Sequence, residues 1–333
     1  MRRLVVALCI AQASVAYGDA TVTVTLNDEG RELAQRLGFS VPDFVAHTQA
    51  QIDELYKISR IDALLRSFAN TAAFAQRGLG ADYDVDPGDI FIGAGTAGVQ
   101  GDVAIGTTDS ALGGSIVNFS VLAGVNLSRW HLPKWTVFAN GFYEGTTIRG
   151  LEGDLLTLGA HVQYQLVQPT LPAKARWTGV AITTGVEYAH WTVGTASSLE
   201  THFIAEGSGG RKSIHVSSTG ALDVDASTFA FPIEVTTGAR LLRVFSLYGG
   251  GGVTLATGGS QINAQLDSEL TINEEMLPVG NATIDGTGEN GPSAASAHAI
   301  AGAMLHTRHI RVFVQGTFAS DELALALGLR VVP

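Results

Sequence analysis

The chain has one cysteine, nine prolines and four lysines among its 333 residues, and aromatic residues make up only 8% of it. A single cysteine, Cys9, excludes an intramolecular disulfide and a cysteine-based metal site. With so few lysines (Lys57, Lys134, Lys174, Lys212) there is no polybasic patch, and a net charge of −11 argues against a nucleic-acid partner, because phosphate binding needs a basic face. Charged residues amount to 15% against 46% hydrophobic, too low a ratio for a chain that stays disordered. Glycine is the residue in excess: 40 of 333, where about 7% is usual.

The chain opens on Met1-Arg2-Arg3 and an apolar run from Leu4 to Ile10, too short to span a bilayer as a helix. Small residues at Ser14, Ala16 and Gly18 suit cleavage after Ala16 or after Gly18, so residues 1–18 read as a signal peptide. Its removal takes Cys9, Arg2 and Arg3, leaving a cysteine-free chain whose charge moves from −11 to −13. Cysteine-free exported chains are common among proteins that cross a periplasm.

Residues 19–87 read as a helical N-terminal segment. Asp28 to Leu37 predicts a short helix stopped by Gly38, and Ser40-Val41-Pro42-Asp43 combines a capping serine with an early proline. Phe44, Ile52, Leu55, Ile61, Leu64, Leu65, Phe68 and Ala72 then recur near helical spacing, and Gly78 suits a C-cap. This segment has an apolar face and needs a partner. Two placements stay open, a periplasmic extension and a plug inside a barrel lumen.

From residue 88 the period is two. Leu323, Leu325, Leu327, Leu329 and Val331 alternate with Ala324, Ala326, Gly328 and Arg330, one face aliphatic and the other small or polar. Leu156, Leu158, Val162, Tyr164 and Leu166 alternate with Thr157, Gly159, His161, Gln163 and Gln165. About twelve such segments run to the end of the chain, and many reach ten residues or more, against about five or six for an ordinary strand. A tilted strand of about 9–11 residues is what a bilayer requires. The uncharged stretches 110–128 and 244–266 alternate too, with Gly, Asn and Ser among them, and read as strands.

An aliphatic stripe on strand after strand must be covered by a second sheet, by helices or by lipid. One short helical region cannot cover a dozen strands. Lipid can, provided the sheet closes and leaves no unpaired backbone edge. A β-sandwich alternates as well, but with shorter strands and more turns. Trp177 and Trp191 bracket one strand and Trp130 and Trp135 flank the turn at His131-Leu132-Pro133, as an interfacial aromatic belt would.

On this pattern, a leader followed by alternating strands, the chain resembles a bacterial outer-membrane β-barrel protein of the porin-like or transporter-like kind. Members commonly end on a strand whose last residue is aromatic; here the end is Arg330-Val331-Val332-Pro333. A helical segment ahead of a barrel also looks like the hydrophobic-solute transporters of that membrane, although the Asn-Pro-Ala signature of that group is absent. The resemblance implies an all-β fold: a closed antiparallel transmembrane β-barrel of about 12 strands (10–14 admitted) over residues 88–333, seated in outer-membrane lipid.

Little points to catalysis. Gly93-Ala94-Gly95-Thr96-Ala97-Gly98 fits GxGxxG, but strand-like residues follow it where a dinucleotide site needs a helix. Asp82-Tyr83-Asp84-Val85-Asp86 resembles the start of a calcium loop, with Pro87 where that loop needs glycine; a solvated acidic linker is the expected reading, with Asp82, Asp84 and Asp86 as weak metal candidates. No histidine pair has ligand spacing, and no serine is singled out as a nucleophile. The expectation is therefore a non-enzyme without cofactor: a passive channel or transporter for small solutes, lined by His161, Gln163, Gln165, Glu187, Glu234, Arg240, Arg311, Gln315 and Arg330. Two alternatives are a non-conducting barrel serving as a surface anchor or adhesion protein, its loops 195–225 and 273–293 doing the binding, and a soluble secreted β protein.

Overall fold

The computed structural model describes residues 17–56, 61–86, 89–101, 115–148, 151–167, 175–241, 244–272 and 277–333. The expected leader lies outside the described residues except for Tyr17 and Gly18, which open a strand. In chain order the elements are β1 (Tyr17–Leu26), α1 (Asp28–Arg36), α2 (Val41–Tyr56), α3 (Ile61–Phe74), β2 (Ile90–Gly101), β3 (Ser115–Asn126), β4 (Trp135–Ile148), β5 (Leu151–Val167), β6 (Ala175–Gly207), β7 (Gly210–Leu241), β8 (Phe245–Ile272), β9 (Leu277–Asn290), β10 (Ala295–His306), β11 (Ile310–Ala319) and β12 (Glu322–Val331).

Ten of these strands close an antiparallel barrel, in the order β8-β10-β11-β12-β2-β3-β4-β5-β6-β7 and back to β8. Every ladder partner is thereby supplied within the ring, which is how a sheet removes its edges. The outward side chains are exposed and aliphatic on strand after strand: Val117 and Val121 on β3, Phe231, Ile233 and Val235 on β7, Val312 and Val314 on β11, Leu325, Leu327 and Leu329 on β12. No helix among the described residues is long and apolar enough to cross a membrane. The stretches 110–128 and 244–266 supply β3 and most of β8, and the GxGxxG run lies within β2.

The strand inventory departs from the sequence pattern in one region. Six of the dozen alternating segments, at 175–193, 198–206, 211–224, 227–241, 243–257 and 260–273, form only three strands: the first two make β6, the next two β7 and the last two β8. The alternation breaks at 194–197 and at 258–259, but the chain continues through both: Gly258 takes φ +126 and keeps its pairing with Thr228. The merged strands run past the barrel rim into a second sheet in the order β6-β7-β8-β9-β1. The stretches 195–225 and 273–293, expected as long polar loops, are therefore mostly strand here. β9 is rich in Gly, Asn and Thr, which hides its period.

This extension has its own core. Asn27 caps α1 by accepting from Gly30 N at 2.8 Å, Gly38 ends it at φ +82, and Ser40 Oγ accepts from Asp43 N at 3.2 Å to start α2. Leu33, Leu37, Phe44 and Ile52 from the two helices bury against Phe203, Ile214, Val216, Leu270, Ile272 and Ile284 of the sheet. The opposite sheet face is polar. Along β7 the outward side chains change from Phe231 and Phe229 on the barrel to Ser227, Asp225, Asp223 and Thr219 beyond it, and along β8 from Val253 and Leu255 to Gln261, Asn263 and Gln265. The apolar band thus stops where the extension begins.

Candidate functional site

The chain leaves the extension through α3, enters the barrel, and threads the lumen down to Asp89, from which β2 starts back up the wall. Contacts at successive depths fix this path. Near the extension rim, Leu65 packs on Val224 and Ile262, Phe68 on Trp191, and Phe74 on Val99 and Ala324. A Cβ on Gly101 would lie 2.7 Å from the hydroxyls of Ser67 and Thr71, so the wall is glycine where the helix passes closest. Trp191, expected in an interfacial belt, points inward and is buried against Phe68; Trp130, Trp135 and Trp177 are exposed at the far rim, as such a belt requires.

At mid-depth the plug ties itself to wall backbone and carboxylates. Gln76 Nε2 donates to the carbonyls of Leu158 and Tyr188 at 2.9 and 2.8 Å, and Asn118 and Asn140 donate to Ala75 O and Gln76 Oε1. Arg77 reaches Glu187 through two contacts, 3.0 and 2.8 Å, and lies 3.7 Å from Glu234. Glu234 also faces His298 at 3.2 Å and accepts from the Tyr83 hydroxyl at 2.7 Å, while His161 stands 3.6 Å from Glu187. Leu79 sits among Phe313, Met304, Ile300 and Tyr248.

The acidic run occupies the far rim. Asp82 faces Arg330 at 3.2 Å and Arg311 at 3.5 Å, and Asp84 binds Arg240 at 2.8 Å, His306 at 3.1 Å and the Ser246 hydroxyl. Asp86 meets Arg240 at 2.6 Å and Arg176 at 3.2 Å, and Asp89 meets Arg311 at 2.5 Å. Arg330 and Arg311 further donate to the carbonyls of Ala81 and Asp84. Asp82 and Asp84 are buried, not solvated, and each of the three expected metal candidates is held by arginine; among the described residues no histidine, cysteine or carboxylate cluster suits a metal ion. Four arginines at rim-facing ends of different strands are what the sequence could not place together. Burial pushes the Asp84 carboxyl upward, but the His306 hydrogen bond and the Arg240 charge outweigh it and hold it well below the usual carboxylate range.

All nine residues expected to line a channel point into the barrel interior. His161, Gln163, Glu187, Glu234, Arg311, Gln315 and Arg330 are buried, and Gln165 and Arg240 are half-buried nearer the rim. What they face is protein. Gln163 donates to Asp82 O at 3.1 Å, Gln165 to Thr178 O at 2.7 Å, and the Tyr248 hydroxyl donates to Gln315 at 3.2 Å. A Cβ on Gly80 would stand 2.4 Å from the His161 ring, which leaves no room for a solvent column between them. The sequence signal that could have found the plug is the small-residue run Ala69-Asn70-Thr71-Ala72-Ala73, which fits a narrow lumen, followed by alternate carboxylates matched in number by inward arginines. At the far rim a polar cavity of ≈ 180 Å³ opens between Tyr83, Asp84, Lys134, Gln163, Gln165 and Arg176.

A family model described as Lsa36-like matches residues 19–332. No curated protein matches the chain. Among solved structures, the chain is similar to the toluene transporter TbuX of Ralstonia pickettii, at 8% identity and TM-score 0.26 over 80% of this chain and 99% of that one. It is also similar to the translocator domain of the autotransporter NalP from Neisseria meningitidis, at 9% identity and TM-score 0.29 over 87% and 97%. A third is Ail, the attachment invasion locus protein of Yersinia pestis, at 10% identity and TM-score 0.25 over 74% and 98%.

Proposed function

The chain belongs to the Lsa36-like family, and for it we propose a non-conducting outer-membrane barrel that anchors and displays the helix-backed extension sheet at the cell surface. The observation that supports this is the filled lumen: Arg77 is enclosed between Glu187 and Glu234, and the acidic run 82–89 is locked by four arginines. A buried ion pair stabilises little over an apolar filling, but breaking one leaves an uncompensated charge, so a network of this kind resists opening. The exposed aliphatic belt gives the barrel its lipid partner, and the leader expected over 1–18 gives it a route out of the cytoplasm.

Orientation follows from the rims. Outer-membrane barrels keep short turns in the periplasm and long excursions outside. Here the β7–β8 and β10–β11 connections, 242–244 and 307–309, share one rim with the end of β12, while the other rim has two short turns, β4–β5 and β11–β12, and the one large excursion among the described residues, the extension carried by β6–β7 and β8–β9. The extension is then extracellular. A gated channel for small solutes is the second reading, favoured by the polar cavity beside Asp84 and Arg176 at the periplasmic mouth.

Reconstitution into planar bilayers separates the two. The full chain is expected to carry no current, and replacement of 66–86 by a glycine–serine chain of the same length to produce open channels. Stepwise conductance from the intact chain, with ion selectivity altered by Glu234→Gln, would overturn the anchor reading.

A further inference from the structure

The plug joins two ends of the barrel. The extension, with β1, α1 and α2, lies beyond one rim, whereas Asp89 is fixed at the other, where its carbonyl accepts from Asn126 N at 2.9 Å beside the last residue of β3. Residues 17–56 and the start of β2 are therefore on opposite sides of the wall, joined through the lumen and not around it. Resting on the orientation proposed above, this puts the N-terminal module outside the cell, while a chain exported across the inner membrane first arrives in the periplasm.

We propose that the barrel exports its own N-terminal segment: residues 17–56 pass outward through the lumen in unfolded form, and α3 and the run to Asp89 stay behind as the plug. Three observations fit passage of a bare chain. The segment left in the lumen contributes the small residues Ala69, Ala72, Ala73, Ala75, Gly78 and Gly80, and the wall is glycine at 101, 95 and 159 where it meets Ser67 and Thr71, Leu79 and Gln76. The ten-stranded ring is filled by a single helix and the chain that follows it, the helix being about 10–12 Å across with its side chains. The exported part folds onto surface that the barrel strands have already carried outside: β1 adds to the edge of β9 and α1 and α2 cover the sheet, so burial of Leu33, Phe44 and Ile52 outside opposes return.

The test uses the full chain expressed in a Gram-negative host, where the absence of any cysteine beyond Cys9 keeps single-cysteine labelling clean. Asp285→Cys on β9 and Thr23→Cys on β1 both present exposed positions of the extension. A small domain closed by one disulfide is fused ahead of Tyr17, and a second version carries the same domain with both cysteines replaced by serine. Membrane-impermeant maleimide on intact cells reads Thr23→Cys and Asp285→Cys, each in a separate chain, with the closed domain's own disulfide unreactive.

Label at Asp285→Cys in every version, with label at Thr23→Cys lost only behind the closed domain, is the expected result. Equal display of Thr23→Cys behind the closed and the opened domain overturns self-export while leaving the orientation intact. Loss of Thr23→Cys behind both versions overturns it as well, because the opened domain should pass. Absence of label at Asp285→Cys in intact cells, recovered after lysis, overturns the orientation itself and the proposal with it.

Discussion

Arg77→Met is the sharpest probe of the filled lumen. The Arg77 side chain is 3% exposed and those of Glu187 and Glu234 are 4% exposed, so solvent does not screen the group. Methionine keeps the apolar stem of the side chain and removes the charge together with the guanidinium that lies over Phe74. Glu234 retains His298 at 3.2 Å and Tyr83 at 2.7 Å, but Glu187 is left with His161 at 3.6 Å. The loss therefore falls on Glu187 and is about 3–5 kcal/mol, the cost of breaking a buried pair by removing one partner. Barrel unfolding is read most safely as a rate; if the whole loss appears there, unfolding in detergent accelerates by about 160- to 5,000-fold. The assay is the half-life of the heat-modifiable band on unboiled gels at a fixed temperature. Adding Glu187→Gln to Arg77→Met removes the orphaned charge and is expected to restore most of the half-life. An Arg77→Met half-life within twofold of the parent, or a double variant worse than the single, would refute the reasoning.

Other outcomes follow from the same geometry. Asp84 has its folded value depressed, so its stabilising contribution is present above the unfolded value of about 3.9 and is lost as pH falls below that toward the folded value. Below about pH 4 the thermal midpoint should therefore fall more steeply in the parent than in Asp84→Asn, which should start from a lower midpoint at neutral pH. Phe44→Ala should cost about 3–5 kcal/mol in the extension core and speed protease cleavage between β1 and α2 while leaving the heat-modifiable barrel band in place. Gly80→Val drives a branched side chain into the His161 ring and should lower the yield of folded barrel, with His161→Ala recovering part of it.

Much of the barrel was legible in the sequence because period two has a physical cause: lipid outside and a packed polar interior force opposite chemistries onto alternate residues. The nine inward residues fall out of that alternation, as do β11 and β12 with their tight turn at Ser320 and Asp321. What the pattern could not show is where a strand leaves the membrane. Past Ser227 and Thr257 the alternation continues, now between a helix-covered face and water, so residues 195–225 look like loop or short strand by polarity alone. β9 escaped because Gly, Asn and Thr make up half of it, whereas β1, although Thr21 to Leu26 alternates Thr with Val and Leu, lies at the start of the stretch expected as helical. The plug escaped because its partners are distant in sequence: Asp82 to Asp89 are paired by arginines at 176, 240, 311 and 330, which closure of the ring brings to one end.

β6, β7 and β8 run unbroken from the lipid belt into the extension, with no hinge at the rim. A pull on the tip is therefore directed along β6 and β7 together, and the rungs that bear it are those joining β6 to β5 and β7 to β8, which share the load side by side instead of parting one after another. Tension applied from outside is delivered to the barrel wall in shear, the direction in which a sheet yields last.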